Sequence, residues 1–301
     1  THNNGNVKFS TAGGSSITTS DPVLYDLEVN QGGSNLDVTT NLTIEHNLTV
    51  TSGMLRPQPD TKGSELTITF GTTSYASQLE LDNYGIGFES GGNNTHACAL
   101  VGASSLYPFN VLISISSGID LDSVGSSSKV KLANIYYDKD ITSGGGGVTV
   151  TLTGDAEFNG FTVSPNDTLD FNGQRAEFSG TLDNSGNMDI DGALIYAADL
   201  NLDSSFDNES GLNAVVMTGA TTFDFGDGEL TSGTFMINST GTATIGGVTH
   251  GGNLLVGCGT LDMNNLSNTF GDVTIATGGT MTAGSGTLTC AGDFTTSGGL
   301  I

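Results

Sequence analysis

Tryptophan is absent from these 301 residues, proline occurs only 5 times, and no apolar run approaches the ~20 residues of a membrane-spanning helix. Three cysteines, Cys98, Cys258 and Cys290, contain no Cys-x-x-Cys pair and do not make the disulfide framework of a small secreted domain. Cys258 and Cys290 lie in apolar-alternating stretches and read as small buried hydrophobes. Basic residues are nearly missing too: 7 Lys and Arg face 32 Asp and Glu, for a net charge of -25, and none follows Arg175. Such a surface repels phosphate backbones and anionic headgroups, so neither nucleic acid nor membrane insertion is expected. Enzyme signatures are also wanting. There is no Gly-x-Ser-x-Gly elbow, phosphate-binding glycine loop or His-Glu-x-x-His. His2, His46, His96 and His250 stand far apart, and His96 beside Cys98 is too small a cluster for a zinc site.

What the chain does have is 45 glycines and a returning phrase: glycine, threonine, then apolar residues on alternate positions. It occurs at Gly180-Thr181-Leu182, Gly233-Thr234-Phe235, Gly241-Thr242-Ala243, Gly259-Thr260-Leu261, Gly279-Thr280-Met281 and Gly286-Thr287-Leu288. Several copies are ~18 to 20 residues apart, the length of one solenoid coil. Each phrase is a short strand that points two side chains inward and cannot bury them alone, so coils must stack. Glycine, Asn and Asp supply the tight corners. The expected fold is all-β, a parallel β-solenoid (β-helix) of short strands, with a less regular β segment at about 61–143. Residues 1–60 read as N-terminal solenoid coils, 61–143 as irregular β segment or insertion, and 144–301 as C-terminal solenoid. Arg56-Pro57-Gln58-Pro59 reads as a loop or a break between stacks, because two prolines deny the ladder its N–H donors. The coil phrase persists to Gly299-Leu300-Ile301 without a polar cap, so a further coil or a neighbouring subunit is expected to cover that end.

The stretches Leu24-Tyr25-Asp26-Leu27-Glu28-Val29 through Met54-Leu55, and Phe270-Gly271-Asp272-Val273-Thr274-Ile275 through Gly292-Asp293-Phe294, resemble the β-solenoid repeats of phage fibres and of large bacterial surface adhesins. The resemblance covers about half the chain, and it implies architecture more than chemistry. It implies a structural, non-enzymatic rod: a fibre or spike of a phage virion appendage with a host-attachment role, or else a segment of a prokaryotic cell-surface adhesin or extracellular filament. Expected partners are copies of itself, other virion or surface subunits, and host surface glycans. The expected location is the virion or the cell exterior.

Three chemistries remain to be weighed. Asp224, Asp227 and Glu229 place three carboxylates at a glycine turn, the hard oxygen donors that calcium requires, and Asp199, Asp203, Asp207 and Glu209 form a second acidic cluster. Both can equally be solvated corners, and calcium is the sole cofactor expectation. A polysaccharide depolymerase would need paired carboxylates on one strand face, as Asp120 with Asp122 or Asp189 with Asp191. A flat threonine face, suggested by Thr242-x-Thr244, Thr280-x-Thr282 and similar pairs, would need those pairs in register, whereas their spacing in sequence is irregular.

Overall fold

The computed structural model describes residues 4–11, 13–57, 65–71, 77–81, 97–102, 111–115, 119–120, 129–137, 141–143, 147, 149–202, 206–207, 214–219, 222–223, 233–245 and 251–300. Among them every element is a β-strand and none is a helix, and the strands stack in parallel as a β-solenoid. Alternation explains this: inward positions are apolar and outward ones polar, and with parallel stacking like positions fall above one another. Two units divide the chain, Thr1–Asn159 with Val163–Leu169, and Gly160–Thr162 with Asp170–Ile301.

In the first unit, strand Asn6–Phe9 pairs with Val23–Val38, which pairs in turn with Leu42–Pro57. The ladder then runs from Leu48 to Leu79, Ile113, Tyr137 and Phe158. Inward columns form along it. Leu42, Ile68, Leu100, Leu132 and Leu152 follow one another in register, each at most 3% exposed. Val23–Val38 and Leu42–Pro57 are continuous strands of 16 residues, longer than the short strands expected, because each turns its corner through a shift of register. At that corner Gly53 has φ +85°, and a Cβ there would stand 2.1 Å from the Ser34 carbonyl oxygen, so only glycine fits. Of the stretch expected to form a loop or break, Arg56 and Pro57 are in the ladder, paired with Asp37 and Val38, while Gln58 and Pro59 lie outside the described residues. Pro57 ends its strand, where a missing N–H is tolerated.

In the second unit the ladder runs Ala176, Ile195, Val215, Phe235, Leu254, Val273. A parallel column takes Ala197, Met217, Ile237, Val256 and Ile275. All are 5% exposed or less, so the interior is filled by apolar side chains ranging from Ala to Phe. A second face carries Ala243, Leu261 and Met281. A third pairs Asn268–Phe270 with Leu288–Cys290. The last coils of the second unit therefore carry three strand faces joined by corners.

Candidate functional site

Outward side chains of neighbouring coils meet in ladders, since a coil step brings residues about twenty apart in sequence within reach. In the first unit Lys8 Nζ and Asn6 Nδ2 both donate to Glu28, and the lysine ammonium holds the Glu28 carboxyl below its ordinary value of 4.5. His46 stacks on Tyr25 with ring centroids 4.7 Å apart, while its Nδ1 lies 2.9 Å from Asp26 Oδ1, which also accepts from the Asn47 amide at 3.0 Å. Arg56 grips Asp37 through Nε and Nη2 at 2.7 and 2.9 Å, a bidentate pair that fixes register as well as charge. A shallow cavity of about 160 Å³ lies among Asn6, Asp26, Glu28, Asn47 and Thr49. Nothing in local motif grammar marks these residues; the signal that could have found them is complementary character at one coil period, as between Asp37 and Arg56 or Asp26 and His46.

Corners carry the other polar cluster. Asp170, Asp189 and Asp262 each accept, through Oδ1, the backbone N–H two residues on, at 2.7, 3.1 and 2.8 Å. Asn172 and Asn264 adopt left-handed φ of 46° and 49° in the process. Asp189 with Asp191 is thus a corner brace: the first carboxylate bonds the second residue's amide. Coil-to-coil corner bonds continue from Asn253 Oδ1 to the Asp272 amide and from Asp272 Oδ1 to the Asp293 amide, each 2.8 Å. Asp167, wholly buried in the first unit, accepts from the Gly147 amide at 2.7 Å.

Of the residues expected to bind calcium, Asp224, Asp227 and Glu229 lie outside the described residues, as do Asp203 and Glu209. Asp199 is described, and its Oδ2 accepts from the Thr181 hydroxyl at 3.0 Å. Asp120 ends strand Ile119–Asp120, and Asp122 is outside the described residues. No group of three His, Cys, Asp or Glu positioned for a metal ion occurs among the described residues. The cysteine expectation needs correcting. Cys258 and Cys290 are half-buried at corners, and their thiols donate to Asn238 Oδ1 at 2.9 Å and to the Gly271 carbonyl at 3.2 Å, so a polar neighbour from the preceding coil takes the place of a dry core.

The threonines behave differently from their sequence spacing. Thr242, Thr260 and Thr280 fall in one column, because the coils they belong to differ in length only at their corners. The adjacent column reads Thr222, Thr244, Asp262, Thr282, so a carboxylate interrupts it. No helix among the described residues is long and apolar enough to cross a membrane. No protein-family model, curated protein or solved structure matches the chain.

Proposed function

We propose that this chain is a structural β-solenoid element of a phage virion appendage, a fibre or spike with an attachment role. The observation that carries the reading is the coil-to-coil investment of its side chains. Inward columns pack apolar residues continuously, and outward ladders such as Asp37 with Arg56 and Asn253 with Asp272 spend polar groups on joining neighbouring coils. Side chains used this way stiffen a stack, which suits a spacer or a shaft exposed to shear and protease. The same stack would serve as a segment of a prokaryotic cell-surface adhesin. A polysaccharide depolymerase is the third reading; of the carboxylates it would use, Asp189 accepts the Asp191 backbone N–H at a corner.

Gold-labelled antibody against the chain, applied to phage particles and to the cells of its source, tests the location. Label on a virion appendage is expected. Label confined to cell envelopes would replace the virion reading with the adhesin one, and release of oligosaccharides from host capsule by the purified chain would overturn the non-enzymatic reading altogether.

A further inference from the structure

Among the described residues, every non-glycine residue with a left-handed φ is an asparagine except one, Asp21 at φ 45°. It is also the one of them that precedes a proline, and Asp21-Pro22 is the only Asp-Pro bond in the sequence. Aspartate by itself visits this region at small cost. Proline after it changes that, because the ring's Cδ presses on the preceding residue's N–H and Cβ and drives its φ towards about −120°. The corner between strands Ser15–Ile17 and Val23–Val38 holds the pair in place from both sides. On one side the Asp21 N–H donates to Thr40 Oγ1 at 3.2 Å, and on the other the Thr43 N–H donates to the Pro22 carbonyl at 3.0 Å. The Thr39 N–H secures the approach, donating to the Ile17 carbonyl at 3.2 Å. Residues of the next coil thus pin both flanks of a strained Asp-Pro pair, which is the condition under which such strain persists. Asp21 is exposed, so water reaches the bond, and its Oδ2 accepts from the Ser20 hydroxyl at 3.4 Å. No charged residue occurs from Thr39 to Thr43.

We infer that the chain cleaves itself between Asp21 and Pro22. A side-chain oxygen of Asp21 attacks the residue's own main-chain carbonyl carbon, and a five-membered cyclic anhydride forms as the bond to the Pro22 nitrogen breaks. The carboxyl proton leaves with that nitrogen, which becomes a secondary amine. One water then opens the anhydride, which restores the Asp21 side chain and gives the residue a free main-chain carboxyl. Nothing is oxidised or reduced. The nucleophile belongs to the residue it attacks, so no second group has to be brought up. Pinning contributes because rupture of the C–N bond releases the clash, whereas an unfolded chain, free to take φ near about −120°, has none to release. The nick does not by itself part the pieces, since Asn6–Phe9 and Ser15–Ile17 stay paired with Val23–Val38. The segment before Pro22 becomes a clip, held by its ladder and by the ion pair of Lys8 with Glu28, and it can leave without unfolding the coils beyond it.

Mass spectrometry of the full chain, held folded in mildly acidic buffer with protease inhibitors and then denatured, reads the cleavage. Fragments 1–21 and 22–301 should form about tenfold faster than in the same buffer with urea, or than the matching cut in a synthetic peptide of residues 18–25. Asp21→Asn, which lacks the attacking carboxyl, should slow the cut by about tenfold or more. Thr40→Val removes the acceptor that holds the Asp21 N–H. It should bring the rate down towards that of the peptide while keeping the wild-type circular dichroism spectrum. A folded chain that stays intact, or that is cut no faster than the peptide, overturns the inference. So does cleavage of Asp21→Asn at the wild-type rate, or a folded Thr40→Val variant that is cut as fast as the wild type.

Discussion

Gln31 is wholly buried in the first unit, and neither its amide nitrogen nor its amide oxygen has a hydrogen-bond partner among the described residues. An unpaired buried amide costs about 1–3 kcal/mol, while an apolar side chain of the same length does not. Gln31→Met should therefore raise stability by about 1–2 kcal/mol, read as a higher urea midpoint. An unchanged or lower midpoint would show that the amide is satisfied. Leu261 shows the opposite case: it is fully buried between Ala243 and Met281, and Leu261→Asp should cost more than about 4 kcal/mol, since the charge has no partner and no water. A variant that melts with the wild type would contradict the packing. Glu28 adds a pH term. Its carboxyl is held below 4.5 by Lys8, so the folded state favours the carboxylate. That contribution is fully present above the unfolded value near 4.5 and fades as pH falls through the lower folded value. Lys8→Met should return the Glu28 titration, followed by carboxyl NMR, towards 4.5, and a midpoint that stays low would show the lysine is not its cause.

At the scale of the coil, the corners decide what the strands merely repeat. Asn253→Ala would orphan the Asp272 amide and should cost about 1 kcal/mol, with faster hydrogen exchange at that amide as the check. Exchange unchanged at Asp272 would mean that water replaces the asparagine without loss. The strands were readable because alternation and the glycine-threonine phrase are local: Gly259-Thr260-Leu261 and Gly279-Thr280-Met281 are direct ladder partners, as their phrase implies. Corners were less readable. Pro57 looked like a break because proline lacks a donor, yet it ends a strand where no donor is needed. Cys258 looked like core because its sequence neighbours alternate, yet it sits where the strand turns and meets Asn238. Pairings such as Asp26 with His46 and the alignment of Thr242 with Thr260 are set by how many residues each corner consumes, and no short window of sequence contains that number.

For the chain as a whole, the net charge of -25 sets carboxylates against one another over the entire surface, with few basic side chains to offset them. Salt screens such repulsion over about 8 Å at physiological strength. The melting temperature should accordingly rise between low and near-physiological sodium chloride, and a flat response in differential scanning calorimetry would show that local pairing already neutralises the field. The ladder of the first unit carries a further consequence. Between Leu27 and Leu48 it advances one coil for about twenty residues, and between Leu79 and Ile113 it advances one coil for more than thirty. Chain length and axial length are therefore separate currencies in this fold. A longer coil and a shorter one both advance the ladder by a single position, so the height of such a stack is set by the number of its coils while the length of its gene is free to drift.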